Sequence, residues 1–379
     1  NVEARAMSKI LLFGDICPTK DYRPLFDKGR IFSEEILEDI KSADFVVGNL
    51  ECPSTDSNTP IDKTGPCLKS MPGDLKMLAS VGFNAFSLAN NHILDYGSTG
   101  VKDTLLNLND NELAYFGAGV NKEAASKPLI VRIGNHRVAL LSFAEAEFNL
   151  ATPDSPGANH FDPYESFDVI RRIKSEVDYL LVLYHGGIEY YQYPSPLVQK
   201  KCRKMIDSGA DFVAIQHSHC IGTVETYNNG TILYGQGNSV FGVRHNSPTW
   251  NKGLLVEIDL ESGLLKYKPI SASSNGIAYS DKQEALNVLR DFHSRSAKLR
   301  DNGWIHRSWS DFCYKQRALI LPQLYGKSKW FNRLNRLFAN KLMDILYSRF
   351  SKMVTLNLLR CEAHHEVITT LLGKEIKKA

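Results

Sequence analysis

The chain has 379 residues, of which 43% are hydrophobic, so it can build a substantial core, and this argues against global disorder. The net charge is only +3 but is unevenly spread: residues 281–379 hold 19 Lys and Arg against 9 Asp and Glu, and the rest hold 26 against 33. Seven cysteines without a C-x-x-C pair favour reduced thiols over a disulfide framework or a zinc finger.

Residues 1–6, which precede Met7, are expected to be an appended remnant rather than native sequence. No signal-peptide pattern and no apolar run of about 18 residues is visible. We therefore expect a cytoplasmic or membrane-peripheral protein, exported only if a leader has been removed.

Strands, polar tips and helices alternate over residues 7–275. Strands are predicted at 9–13, 44–47, 83–88, 129–133, 138–143, 179–184, 212–215, 231–234, 254–260 and 264–269. Helices are predicted at 33–41, 72–81, 100–109, 166–175 and 196–208. This alternation predicts a layered α/β catalytic domain with its site at the carboxyl ends of the strands.

The character changes at about residue 276, where a basic, aromatic-rich helical extension is predicted to run to residue 379. Helical periodicity covers 284–299, 308–321, 329–350 and 354–372. The apolar and basic faces of these helices fit three interpretations. The first is an ordinary helix core with a solvated face. The second is docking on a membrane surface, a synthase complex or an anionic polymer, and the third is nucleic-acid binding. Nucleic acid is not expected as a partner, since no recognised motif accompanies the charge.

The segment A-N-N-H-I-L-D-Y-G, residues 89–97, follows an apolar strand and is the most informative stretch of the chain. An amide such as Asn91 can serve as a neutral oxygen ligand, and His92 beside it can handle a proton at neutral pH. Four other strand tips carry similar groups: Asp15; Asn49 and Glu51; His185 and Glu189; His217 and His219. This mixture suits divalent Mn, Fe or Zn, and a bridging carboxylate can hold two ions about 3.5–4 Å apart.

The order G-D, N-L-E, A-N-N-H-x-x-D-Y-G, H-x-G/G-x-E, H-x-H and G-N-x-x-F resembles the CapA (poly-γ-glutamate capsule synthesis) family. The resemblance covers residues 9–270 and implies a calcineurin-like metallophosphatase fold: a β-sandwich flanked by helices. It also implies two divalent ions and a set of roles. Asp15 and His219 would bind the first ion, Asn91, His185 and His217 the second, and Glu51 would bridge them, while His92 would be the general acid that Asp95 orients. Asn49, Asn90, Glu189 and Asn238 would lie on the substrate side.

Three positions depart from the family pattern. Cys17 stands where metallophosphatases place a histidine, Gly186 replaces a tryptophan, and Ser218 replaces the proline of H-P-H. Cys17 is either a thiolate ligand or a small packed hydrophobe. Simpler roles also remain open elsewhere: Asp15 as a helix cap or turn residue, Asn90 as a structural amide, and Glu189 as a buttress for His185.

The sequence thus predicts a metal-dependent hydrolase that acts on phosphoesters or on related ester or amide bonds. By resemblance, it serves capsule or envelope polymer synthesis, with an anionic polymer or a phosphoester as substrate. Two alternatives are a non-catalytic, polymer-binding accessory of a capsule synthase and a cytosolic nucleotide phosphodiesterase.

Overall fold

The computed structural model describes residues 8–247, 249–324, 329–338 and 341–378, so the predicted remnant at 1–6 lies outside the described residues. The chain divides into two compact units, one ending at His306 and one beginning at Arg307. The first unit carries every strand of the described residues.

The strands are β1 (Lys9–Ile16), β2 (Phe45–Leu50), β3 (Ala85–Ser87), β4 (Ala114–Phe116), β5 (Ala118–Gly119), β6 (Leu129–Ile133), β7 (His136–Ala144), β8 (Gly157–Ala158), β9 (Tyr179–His185), β10 (Phe212–Gln216), β11 (Val224–Tyr227), β12 (Gly230–Leu233), β13 (Asn238–Val240), β14 (Lys252–Asp259), β15 (Leu265–Ser273) and β16 (Gly276–Tyr279). The helices are α1 (Arg23–Phe26), α2 (Glu34–Ser42), α3 (Pro72–Val81), α4 (Gly97–Asp110), α5 (Lys122–Ala125), α6 (Ser166–Lys174), α7 (Pro196–Asp207), α8 (Lys282–Ala297), α9 (Asn302–Leu324), α10 (Lys329–Leu337), α11 (Leu342–Leu346), α12 (Arg349–Arg360) and α13 (Glu362–Lys378).

Two sheets form the centre of the first unit. One has the order β16-β15-β14-β1-β2-β3-β4, with β13 also paired to β1, and the other has the order β11-β12-β10-β9-β7-β6. Strands β1 to β4 run parallel, as do β7, β9, β10 and β12. Both parallel groups are nearly continuous runs of buried residues, as expected of strands covered on both faces.

The inner faces of the two sheets pack on each other, and helices cover the outer faces. Ile10 and Val47 of the first sheet share a core with Leu140 and Leu183 of the second. Residues of α2, α3 and α4 pack on the outside of the first sheet, and residues of α6 and α7 on the outside of the second. The predicted α/β sandwich flanked by helices is therefore confirmed.

The first unit extends past residue 275, where the sequence placed the end of the catalytic domain. Strand β16 adds an edge to the first sheet, and Phe292 of α8 is fully buried in the core that the two sheets share. The Asp281 side chain caps α8 by accepting a hydrogen bond from the Glu284 backbone N–H at 2.8 Å. The basic composition begins at these elements, but the separate unit begins about thirty residues later.

The second unit is helical over its described residues, as the sequence predicted. Many large apolar side chains of this unit are exposed, among them Trp330, Leu337 and Phe350. Within the described residues, no helix combines the length and the apolar character that a membrane crossing requires.

Candidate metal centre

The six predicted metal ligands meet at one end of the sandwich. Asp15 is the last residue but one of β1, and His185 is the last residue of β9. Glu51 and Asn91 follow β2 and β3, and His217 and His219 follow β10. All six side chains are buried. A sheet brings them together because its parallel strands end at a common edge, which is the usual ligand-binding edge of α/β folds.

Glu51 lies at the centre of this cluster. Its carboxylate Oε1 is 3.5 Å from His185 Nε2 and 3.6 Å from His219 Nε2. No nitrogen or hydroxyl donor of the described residues hydrogen-bonds to either of its oxygens, although the side chain has no exposed surface; the side chain that interacts with it, Asp15, is itself an acid. Burial, and then the nearby Asp15 carboxylate, raise the pKa of Glu51 well above its usual range. A buried carboxylate without a donor or a positive charge beside it is costly, so this position fits a cation.

Glu51 belongs to two overlapping groups of ligand atoms. One contains Glu51, His217 and His219, the other Asp15, Glu51 and His185, and within each group the atoms lie within 4.8 Å of one another. A carboxylate shared by two groups has the placement that the bridging role requires. The grouping differs from the predicted partition, in which His219 joined Asp15 and His217 joined His185.

The three histidines of the cluster favour the neutral imidazole, which is the form that can bind a metal. Burial lowers the pKa of His185 and His217, and it lowers that of His219 to about 3. His217 Nδ1 is buried and has no partner among the described residues, and His185 Nε2 lies 3.0 Å from Asn91 Oδ1. Neutral imidazole with carboxylate and amide oxygen fits Mn, Fe or Zn.

The backbone holds two of these histidines in an unusual conformation. His217 has φ 90° and His219 has φ 50°, a region that non-glycine residues seldom adopt. The His217 N–H donates to Asp15 Oδ2 at 3.1 Å, which ties β10 to β1. Backbone strain of this kind persists where surrounding contacts fix it, and it concentrates at functional sites.

The Asp15 carboxylate accepts hydrogen bonds from two other strand ends and does not cap a helix. Asn49 Nδ2 donates to its Oδ1 at 2.8 Å, and the His217 N–H occupies its other oxygen. Burial nevertheless raises the pKa of Asp15 to about 6. The glycine before it is required, because a Cβ at Gly14 would lie 2.3 Å from the Gly237 carbonyl oxygen.

The amides predicted to face substrate mainly position other groups. Asn49 and Asn90 have no exposed surface, and Asn90 Nδ2 donates to the Leu50 carbonyl at 2.7 Å. Asn90 Oδ1 accepts from the His92 N–H, which fits the structural reading of Asn90. Asn238 Oδ1 lies 2.8 Å from His219 Nδ1, so it leaves Nε2 of that ring free to bind a metal.

Glu189, also predicted on the substrate side, lies in the loop after β9 and is partly exposed. Its charge acts on Glu51, whose pKa it helps to raise. This placement is compatible with both of its predicted roles, substrate contact and support of the metal ligands.

His92 and Asp95 form the predicted pair, and the structure adds a lysine that sequence reasoning missed. His92 Nδ1 is 2.6 Å from Asp95 Oδ2, which also accepts from the Leu68 N–H at 2.6 Å. Lys63 Nζ pairs with Asp95 Oδ1 and lies 3.3 Å from His92 Nδ1, and its side chain is only 3% exposed. Lys63 comes from a loop without periodicity, so no sequence signal marked it.

A second unforeseen group lies beside His219. The Trp250 ring is 4.6 Å from the His219 ring, and the Arg244 guanidinium lies 3.2 Å from the Trp250 ring centroid. Arg244 also donates to the Tyr190 hydroxyl at 2.7 Å, and both residues are exposed. Arg244 therefore brings a positive charge to the rim of the cluster.

The three departures from the family pattern have local explanations. Cys17 is buried in the apolar core, hydrogen-bonded to Cys52, and belongs to neither group of ligand atoms. That hydrogen bond, together with burial, raises the pKa of the Cys17 thiol, which favours the packed-hydrophobe reading. At Gly186 a Cβ would lie 2.6 Å from the Glu145 side chain, so Glu145 fills that space. The Ser218 hydroxyl donates to the Cys220 carbonyl at 3.1 Å.

Among curated proteins, the chain is 32% identical over 211 residues to the capsule biosynthesis protein CapA of Bacillus anthracis, covering 53% of this chain and 51% of that protein. It is 28% identical over 212 residues to a probable polyglutamine synthesis accessory protein of Mycobacterium tuberculosis, covering 52% and 56%. The chain thus spans about half the length of the curated relatives it matches.

Among solved structures, a putative 5'-nucleotidase from Staphylococcus aureus aligns with a TM-score of 0.42 and 16% identity, over 75% of this chain and 57% of that one.

The profile of the bacterial capsule synthesis protein PGA_cap matches residues 9–243, which is well over half of the chain. The protein therefore belongs to the PGA_cap family of bacterial capsule synthesis proteins.

Proposed function

We propose that the protein is a metal-dependent hydrolase that cleaves, or transfers across, a phosphoester or a related ester or amide bond during capsule or envelope polymer synthesis. The observation that carries this proposal is Glu51, a fully buried carboxylate that two groups of ligand atoms share and that no nitrogen or hydroxyl donor of the described residues neutralises. Such a group needs a cation to offset its burial.

Asp15, Glu51, His185, His217 and His219 would hold two divalent ions, with Asn91 as an amide-oxygen ligand. When bound, such ions supply Lewis-acid stabilisation of a substrate oxygen and activation of a water. Mn, Fe and Zn suit this donor set best.

His92 would give a proton to the leaving group from Nε2. Its Nδ1 faces Asp95, which fixes the ring orientation and stabilises the charged imidazolium. Lys63 offsets the Asp95 charge and holds that carboxylate in place. At the rim, Arg244 would attract an anionic substrate, and Glu189 would contact it or support His185.

The test pairs metal analysis with turnover. Protein purified without chelator is analysed for bound metal, and generic phosphoesters are screened with Mn, Zn and Mg. His92→Ala should keep the metals and lose about 10²–10⁴-fold in turnover, the usual contribution of a general acid. Protein that holds no metal and turns over no phosphoester would sink the hydrolase proposal.

A non-catalytic role is the second candidate, because the mycobacterial relative is named an accessory protein. In that case the fold and a metal would serve polymer binding or assembly of a synthase. His92→Ala separates the two, since an accessory protein should support polymer synthesis equally well with and without the His92 imidazole.

We also propose that the helical unit from Arg307 onward docks on a membrane surface or a synthase complex, as a peripheral rather than spanning contact. Helix α10 exposes Trp330 and Leu337 together with Arg333 and Arg336, a combination of apolar and cationic groups that suits an anionic interface. Co-sedimentation with anionic but not neutral vesicles would support the membrane form, and equal recovery with both would contradict it.

A further inference from the structure

Arg244 at the rim of the metal centre is exposed, yet its side chain is held in place. Its guanidinium lies 3.2 Å from the ring centroid of Trp250, which is only 3% exposed. Trp250 Nε1 donates to the Gly242 carbonyl at 2.6 Å, so the ring that supports the guanidinium is itself fixed. A guanidinium stacked on an aromatic face keeps the N–H donors at its edge available to an anion.

The backbone of Arg244 is fixed by a single side chain. Its N–H donates to Asn251 Oδ1 at 2.9 Å, and its carbonyl accepts from Asn251 Nδ2 at 2.9 Å. The guanidinium donates to the Tyr190 hydroxyl at 2.7 Å, and the Tyr190 N–H donates to the Ser218 carbonyl at 2.8 Å. Because Ser218 stands between the two histidines that follow β10, Arg244 is tied to the loop that carries two predicted metal ligands.

One aromatic ring separates this guanidinium from the metal centre. The Trp250 ring lies 4.6 Å from the His219 ring, and the Tyr190 ring lies 6.4 Å from it. Burial, together with weaker effects that include the Arg244 charge, lowers the pKa of His219 to about 3. The Arg244 charge therefore acts at the edge of the ligand cluster.

The Arg244 charge is available to a bound molecule. Among the described residues, no carboxylate forms an ion pair with it, and its acceptor, the Tyr190 hydroxyl, is neutral. Glu189 hydrogen-bonds the same hydroxyl. An oriented cation without a counter-charge, beside a site for divalent ions, suits an additional negative charge on the molecule that binds there.

Phosphomonoesters and phosphodiesters differ in the charge that they bring to such a position. The phosphate of a monoester carries three acceptor oxygens and nearly two negative charges at neutral pH, whereas a diester has a second ester group in place of one of these oxygens. A cation outside the metal cluster can bind that additional oxygen. The planar fork of arginine matches phosphate oxygens through parallel N–H donors.

We propose that Arg244, oriented by Trp250 and Tyr190, is a specificity-determining residue that selects phosphomonoesters over phosphodiesters at the metal centre. The inference rests on the proposed metal-dependent hydrolase and names its substrate class. Arg244 would bind the oxygen that a diester lacks, and the Tyr190 hydroxyl would keep the guanidinium turned toward it. Trp250 is buried and acts only through Arg244.

The first test measures binding of orthophosphate and of dimethyl phosphate to the full chain loaded with Mn, by isothermal titration calorimetry. Arg244→Gln should weaken orthophosphate binding about tenfold, the scale of a charge-assisted hydrogen bond, and change dimethyl phosphate binding by less than about twofold. Arg172→Gln is the matched control, since it removes the same charge from an exposed position of α6 and should bind both anions like the unchanged protein.

The second test compares kcat/KM for p-nitrophenyl phosphate and for bis(p-nitrophenyl) phosphate. Arg244→Gln should lower the ratio of the monoester value to the diester value about tenfold, in proportion to the lost hydrogen bond. Arg244→Lys keeps the charge without the planar fork and should restore part of the ratio. A residue that only supports the loop would instead lower the melting temperature and affect both esters equally.

Three outcomes would overturn the proposal: no orthophosphate binding to the unchanged protein, equal effects of Arg244→Gln on the two anions or on the two esters, or the same losses in Arg172→Gln. Orthophosphate binding that depends on Arg244, without turnover of either ester, would uphold the subsite and reject only the hydrolase. Turnover whose ratio between the two esters is unchanged in Arg244→Gln would keep the hydrolase and reject the subsite.

Discussion

Glu51 and Glu257 are both buried glutamates of the first unit, but the chain neutralises only one of them. Glu257 on β14 is 5% exposed and lies 2.8 Å from Lys266 Nζ, 2.7 Å from Lys268 Nζ and 3.6 Å from Lys9 Nζ. Glu51 has no exposed surface, and the charged group that acts on it most strongly is another carboxylate, Asp15.

The two environments shift the pKa in opposite directions. Burial raises the pKa of Glu257, but the hydrogen bonds from Lys266 and Lys268 outweigh it and leave that pKa at about 2. At Glu51, burial and Asp15 act together to raise the pKa. The chain therefore supplies its own cations to Glu257, whereas the groups around Glu51 are ones that could bind a metal ion.

The largest expected effect comes from Glu51→Gln. The loss of the shared ligand should deplete bound metal and lower turnover by more than about 100-fold. Mutation of residues that only orient metal ligands already lowers metal affinity or activity by about 10–100-fold. The metal-free protein should gain about 1–3 kcal/mol in free energy of unfolding, because the amide needs no buried charge. Metal analysis and urea denaturation check both results.

The opposite pattern would remove the contrast between the two glutamates. A Glu51→Gln protein that kept its metal and lost stability would show that Glu51 is structural, like Glu257.

Asp95 offers a third buried carboxylate, whose charge is offset by a lysine, Lys63. Lys63→Met would leave Asp95, which is 1% exposed, without its ion pair and should cost about 3–5 kcal/mol of stability. Turnover should fall as His92 loses its fixed partner, while the metal content stays the same. Thermal unfolding, activity and metal analysis are the measurements.

The double variant Lys63→Met with Asp95→Asn is the control for this pair. It removes both charges, so it should recover part of the lost stability. If the two single changes simply add, Lys63 and Asp95 are not coupled, and the lysine has no role in holding His92.

The sequence could predict which candidate ligands lie together because each stands at or shortly after the end of an apolar strand. Asp15, Glu51 and His185 stand at strand ends, and parallel strands bring such ends to one edge. Lys63 could not be found this way, since it lies in a loop 32 residues from Asp95, and only the fold closes that distance.

The amides and the boundary at residue 276 show the same limit. The sequence marks Asn49 and Asn238 as polar tips, but it cannot show that their amides turn inward to Asp15 and His219. Composition likewise marked the start of basic, helical sequence, whereas the compact unit ends after α8 because Phe292 is packed between the sheets. Local pattern reveals which groups are available, and long-range packing decides what they contact.

The smallest effect should come from Glu257→Gln, which tests the neutralised side of the comparison. The folded pKa of about 2 lies below the ordinary value of 4.5, so the Glu257 charge stabilises the fold above about pH 4.5. This stabilisation is lost as the pH falls from about 4.5 to about 2. At pH 7 the variant should lose about 1–3 kcal/mol of unfolding free energy, less than the full shift implies, because Lys266 is largely exposed. Urea denaturation of the variant and the unchanged protein should show a smaller difference in unfolding free energy at pH 3 than at pH 7, and the metal content should be the same in both proteins. If that difference stays constant with pH, the charge of Glu257 contributes nothing to stability. The contrast with Glu51 would then be one of burial alone.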